Sequence, residues 1–418
     1  MYSGRSAMNI RRAHRPQWGF LIFAGLAPGA FAVPVASPAL AGQLTLTPLI
    51  DARIRYEGVD QQDKARQADA VTFRVRSGVE AKTGPWSMLA EAEATLAIAE
   101  DYNSTVNGRT GFPVVADPET IELNRLQVQY RGLPKTVVTL GRQRINLDDQ
   151  RFVGTVLWRQ NEQTYDAVRL ESSALGPLTA DITYSWAVRS IFGIDSPLQS
   201  IGGDNVLAQL GGRFGPVAIK GFAYLIDQDQ AGRRQFSSQT YGARATGSFP
   251  LTPRLKLGLI GSYARQSDYR GNANSYAADY WLGEAQLAAY GFTLTGGYEV
   301  LGAASGRAFT SFQTPLATAH KFNGWADLFL TTPANGLRDT YAGLGYVLPT
   351  VRGPVNLTII SHRFDSDRLG QKYGDEWNAQ ATFKLTRNIG LLVKYADYRA
   401  DQFGTDTRRL WLQLEYLL

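Results

Sequence analysis

The 418-residue sequence predicts an all-β chain: a transmembrane, antiparallel, up-and-down β-barrel of about 18 strands behind an N-terminal signal peptide. Three observations carry that prediction. Apolar side chains recur with period two, short and long connections alternate, and the chain ends on an alternating strand.

The period is clearest from Trp86 to Ile98, where Trp86, Met88, Ala90, Ala92, Ala94, Leu96 and Ile98 share one parity and Ser87, Glu91, Glu93 and Thr95 the other. That is a strand with one greasy face. The same split recurs in Val71–Ala81, Leu178–Val188, Leu255–Tyr263, Phe292–Val300 and Trp377–Leu385. Short turns rich in Gly and Pro at 83–85, 131–135, 175–177, 215–216, 250–253, 289–291, 350–354 and 386–388 alternate with longer polar segments. The latter lie near 57–69, 101–120, 144–162, 190–203, 228–238, 267–277, 302–338, 366–374 and 400–407. Eight turns and nine loops join 18 strands and put both barrel ends on the short-turn side. The parity closes only if 302–338 is one loop, so Trp325–Leu330 should not be a wall strand. Leu410, Leu412, Leu414, Tyr416 and Leu418 then form the apolar face of the last strand.

Residues 1–41 read as a signal peptide, with Arg5, Arg11, Arg12 and Arg15, an apolar run from Trp18 to Ala27, and small residues up to Ala39-Leu40-Ala41. The barrel domain is then 42–418. Past the leader no apolar run reaches the length of a spanning helix, and lipid offers no partner to an open sheet edge, so a spanning chain must close into a barrel. The expected place is the bacterial outer membrane, with its lipid as a partner. Aromatic residues such as Trp86, Tyr130, Tyr263 and Trp377 fall near strand ends on the apolar parity, as an interfacial belt requires.

Outside the leader, 39 basic residues face 37 acidic ones, so the bulk charge says little about partners. The polar parity says more. It lines a lumen, where Arg53, Arg55, Arg74, Arg76, Arg125, Arg169, Arg189 and Arg244 are the candidate solute contacts. With 34 Arg against 9 Lys in the chain, this is a lining of planar forks suited to carboxylate and phosphate. Acidic neighbours keep such contacts weak enough for release. The alternative is an Arg–Glu girdle that only stiffens the wall.

Several chemistries are excluded. There is no cysteine, and the histidines beyond the leader are His320 and His362, neither with a recognisable nucleophile. Neither enzymatic activity, metal, cofactor nor nucleic-acid binding is expected.

The segment Gly141–Gly154, continuing through Trp158–Asp166, is dense in Arg, Asp, Asn and Gln and is expected to fold inward and narrow the passage. Together with His320–Asp327 and Pro333–Leu337 it resembles the alginate-export family of outer-membrane porins. The resemblance implies an 18-stranded barrel whose arginine-lined constriction passes an anionic polyuronate. It makes Arg142, Arg144, Arg151 and Arg159 candidates for the constriction, with Asp148, Asp149 and Asp166 as the acids that order them. The implied partners are an anionic polysaccharide or sugar and periplasmic export machinery. The alternative function is a general or nutrient-uptake porin with weak charge preference.

Overall fold

The computed structural model describes residues 43–418; the signal peptide expected at 1–41 lies outside them. The strands are β1 Thr45–Gln61, β2 Ala68–Thr83, β3 Trp86–Asp101, β4 Thr120–Leu133, β5 Thr136–Gln143 and β6 Thr164–Leu175. They continue as β7 Leu178–Arg189, β8 Ser200–Phe214, β9 Val217–Ile226, β10 Ser238–Thr252, β11 Leu255–Asp268 and β12 Ala277–Ala289. The last six are β13 Phe292–Leu301, β14 Leu337–Leu348, β15 Val355–Asp365, β16 Lys372–Lys384, β17 Ile389–Ala400 and β18 Thr407–Leu417. Each pairs antiparallel with its chain neighbours, and β1 pairs with β18 from Asp51↔Leu417 to Gln61↔Thr407, closing one 18-stranded sheet. Closure leaves no unpaired strand edge, the condition for a sheet to sit in lipid.

The strand count and all eight short turns are those the sequence predicts. The connection from Leu301 to Leu337 is a single loop, with Trp325–Leu330 outside the wall.

The outer surface carries Leu96, Leu126, Leu140, Ile182, Leu210, Leu294 and Ile359, each well exposed, as lipid-facing positions require. Aromatic pairs mark both margins. Trp86–Tyr130 (ring centroids 4.5 Å apart) and Phe292–Tyr346 (4.3 Å) lie at the short-turn end, and Tyr263–Trp281 (4.3 Å) towards the long loops.

The interior departs from a simple wet tube. Loops 144–163 and 302–336 fold inward and meet along a short parallel bridge at Val153 and Leu316, where Gly154 N donates to Leu316 O (2.9 Å) and Thr318 N to Gln150 O (3.1 Å). Their apolar residues Phe152, Phe312, Trp325 and Phe329 pack on Tyr224, Tyr280, Phe364 and Tyr398, which project inward from β9, β12, β15 and β17. The barrel therefore encloses an aromatic core of its own.

Candidate functional site

The inner loops are held to the wall by charge. On β1, Arg53 donates to Glu415 Oε1 (2.7 Å) and through Nη1 to the main-chain carbonyls of Leu157, Trp158 and Arg159. Arg55 donates to Gln413 Oε1 (2.6 Å) and lies over the Trp158 ring, 4.2 Å from its centroid. On β2, Arg74 pairs with Asp51, and Arg76 pairs with Glu93 and lies 3.5 Å from Glu162. Arg125 pairs with Glu91 (2.6 Å), while Arg144, just past β5, donates from Nε to both carboxylate oxygens of Glu162 (2.7 and 2.9 Å). Arg169 pairs with Asp181 (2.5 Å).

Two further arginines come from the loop itself. Arg151 forks onto Glu299 of β13 (2.6 and 3.2 Å) and reaches Asn323 Oδ1 (2.9 Å). Arg159 joins Glu57 of β1 (3.1 Å) to Asp327 of the second loop (2.8 Å), and Glu57 also accepts from Arg409 of β18 (2.9 Å). Asp149 pairs with Arg244 (2.7 Å) and Asp148 with Lys220 (2.5 Å), so these acids dock loop 144–163 onto β10 and β9 instead of ordering Arg142 or Arg144.

Arg142, Arg189 and Asp166 are not at the constriction. Arg142 stands opposite Leu126, alternates with Leu140, and so lies on the outer face, where Asp166 pairs with both arginines (2.7 and 3.2 Å). The reason is β5: the strand extends to Gln143, so its period of two governs Arg142 before the inward loop begins.

The centre of the site is a segment that carries part of the family resemblance but that the sequence reading does not place at the constriction. His320–Asp327 crosses the lumen between two cavities. The upper, about 510 Å³, opens towards the long loops and is lined by His320, Ala326 and Asp327 with Arg159, Arg233 and Arg409. The lower, about 560 Å³, reaches Gly291 and Tyr346 at the short-turn end and is lined by Lys321, Asn323 and Trp325 with Arg244, Glu299 and Asp339. One stretch of eight residues is thus the partition between two chambers.

Its seat is specific. Lys394 of β17 donates to His320 Nε2 (2.7 Å), and His320 Nδ1 donates to Asp327 Oδ1 (2.7 Å). Lys394 Nζ sits 4.1 Å from the Trp158 centroid and 3.9 Å from that of Trp325, with Trp411 at 5.6 Å. His320 in turn stacks on Trp158 at 4.3 Å. Burial lowers the imidazole to about 3, against the pull of Asp327, so it is neutral and can accept from Lys394. At Gly324 (φ +81°) the chain turns in the left-handed region directly against Glu376, which accepts from Trp325 N and Ala326 N. A side chain there would meet the carboxylate. The signal that could have found this seat was modest: Lys394, Arg409 and Trp411 all carry inward parity.

The closed barrel with an apolar outer face and a polar, loop-filled interior defines the class of an outer-membrane porin. Residues 49–189 match the family described as alginate export, and over β1–β7 the chain has that family's pattern; the His320–Leu337 segment lies beyond the matched residues. No curated protein matches the chain in sequence. Among solved structures it is similar to OccAB4 of Acinetobacter baumannii, with 14% identity over 91% of this chain and 100% of that one and a TM-score of 0.70. It is also similar to OpdK of Pseudomonas aeruginosa, with 14% identity over 90% and 98% and a TM-score of 0.69. OpdK is also known in a structure with vanillate, which matches at 13% identity over 89% and 98% with a TM-score of 0.68. These matches are to outer-membrane barrels, and the chain has the fold of a porin-type barrel of the bacterial outer membrane.

Proposed function

We propose that the barrel passes an anionic, carboxylated sugar chain or its fragments, alginate-like in chemistry, through the arginine-bearing lumen. The observation that carries this reading is the upper chamber, lined by Arg159, Arg233 and Arg409: Arg159 and Arg409 are held by Glu57 and Asp327, and Arg233 is left without a carboxylate partner among the described residues. In this reading Arg159, Arg233 and Arg409 of the upper chamber and Arg244 of the lower offer the contacts, whereas Arg55 and Arg74 are buried in the wall. Arg53, Arg76, Arg125, Arg144 and Arg151 hold the inner loops in place, and their acids keep the field from trapping the solute.

Chamber size favours a second reading, the uptake of small carboxylates. A cavity of about 510 Å³ with Phe192, Phe236 and Leu330 in its walls suits a single ring bearing one acid group. The vanillate bound to the similar OpdK barrel is a solute of that kind.

Arg233 gives the cleanest test, because it lines the upper chamber, stacks on Phe236 (4.4 Å) and hydrogen-bonds Gln228 without touching a carboxylate. Arg233→Gln should lower the chloride-over-potassium permeability ratio, read from the reversal potential in a salt gradient, by about twofold to fivefold. A cation-selective wild type, or a ratio unmoved by the substitution, would count against the proposal. Block of the current by oligouronates, against block by small aromatic acids, separates the two readings.

A further inference from the structure

The short-turn rim has a charge pattern unlike any other part of the molecule. None of the eight connections, from Gly84-Pro85 to 385–388, contains an acidic residue. Arg254, Arg352 and Arg387 lie in the turns themselves. Lys135 also lies in a turn, and Arg131, Arg213, Lys256 and Lys384 stand at the adjoining strand ends. All eight are exposed, and among the described residues none makes an ion pair within 4 Å. At the opposite rim several arginines are neutralised, as in Arg109 with Glu100 and Asp101, Arg265 with Asp279, Arg270 with Asp204, and Arg363 with Asp365, while Arg66, Arg234, Arg307 and Arg368 are exposed and scattered over separate loops.

The collar points towards the passage. Lys256 shares its parity with buried Ser262 and Ala264, Lys384 with buried Glu376 and Asn378, and Arg213 with buried Gln209. Arg131 donates to inward Gln129 (2.9 Å), and Lys135 lines a luminal cavity with Glu171, Asp181 and Lys220. Lipid headgroups would be met on the other parity.

We infer that this collar is a loading site for a linear polyanion arriving from the periplasm, a chain with a carboxylate on every sugar. The inference rests on the carboxylated-sugar reading above and adds a place of capture and a direction. A lone anion gains little from one exposed cation, and salt screens the attraction within about 8 Å. A chain with regularly repeated charges engages several cations at once and releases their counterions together. An uncompensated ring around a mouth therefore selects for charge repeated along a chain. Capture on the periplasmic side is what outward transport needs.

The test is binding of a fluorescently labelled short linear oligouronate to the full-length protein in nanodiscs, followed by anisotropy at low and high salt. Replacing Arg131, Lys135, Arg213, Lys256 and Lys384 together by Gln should weaken binding at low salt by about tenfold or more and flatten its salt dependence. A charge-matched control, Lys64, Arg66, Arg234, Arg307 and Arg368 to Gln at the long-loop rim, should stay within about twofold of wild type. Both variants should remain heat-modifiable barrels on gels, since among the described residues none of these side chains forms an ion pair with the wall or the inner loops. Equal losses in the two variants, or an unchanged affinity in the collar variant, would overturn the inference. So would a collar variant that binds oligouronate normally but loses its association with anionic phospholipid, because the ring would then belong to headgroups. The Arg233 measurement reads chamber selectivity, not rim binding, so either claim can fail alone.

Discussion

Arg151→Ala should raise the single-channel conductance several-fold while leaving the barrel folded. Arg151 is 2% exposed and belongs to loop 144–163, yet its fork ends on Glu299 of the wall and its Nη2 also donates to Asn323 of the partition. It pins all three pieces together. Truncation strands the Glu299 carboxylate with only Tyr280 and Asn323 as donors. Breaking a buried pair from one side costs on the order of 3–5 kcal/mol. No wall hydrogen bond passes through Arg151, so that cost falls on the seating of the loops. A shift of this size moves the closed-to-open ratio by two orders of magnitude or more. Arg151→Lys, which keeps the charge without the fork, should fall between the two. The readout is unitary conductance and open occupancy in planar bilayers, with heat-modifiability confirming the barrel. A folded Arg151→Ala protein that conducts like wild type would show that the loops are fixed by other contacts.

Acid should open the channel through His320. In the seated partition the imidazole is neutral and held down to about 3, whereas an imidazole released into water titrates at its ordinary value near 6.5. The sign follows from linkage: the released state takes up the proton first, so the seat is at full strength above about 6.5 and weakens as the pH falls towards 3. Each pH unit within that window favours release by about tenfold. The groups facing the ring explain why protonation is resisted. Lys394 already donates to Nε2, Arg159 stands beside Asp327, and Trp158 covers the ring face, leaving Asp327 as the compensating acid. Open probability measured from pH 7.5 to 4.5 should rise steeply in wild type and lose most of its slope in His320→Gln. A flat wild-type profile, or an unchanged slope in the variant, would rule out this histidine as the sensitive group.

The wall was open to reading because every strand repeats one rule. Period two at Trp86–Ile98 and the Gly/Pro turns fix faces and connections without reference to any partner strand. The inward parity of Arg53, Arg55, Arg74 and Arg76 followed from the same rule. What those side chains touch did not, since Arg53 lies 104 positions from the Leu157 carbonyl it holds and 362 from Glu415. Arg142 was misplaced because a loop-like composition from Gly141 onward hides that β5 continues to Gln143. The aromatic core was hidden for a related reason: Tyr224, Tyr280 and Tyr398 occupy the parity that otherwise reads as wet, and only the inward loops give them something to pack against. The Lys394–His320–Asp327 seat joins two distant stretches, and nothing local in either announces it.

The most direct test of the two-chamber lumen is the conductance of a chain in which residues 314–331, the arm that carries the partition, are replaced by a short Gly-Ser linker. With the 18 wall strands untouched, the protein should still form a heat-modifiable barrel, conduct more than wild type at neutral pH and show no further gain in acid. A correctly folded barrel of wild-type conductance and wild-type pH response would mean that His320–Asp327 does not separate the chambers.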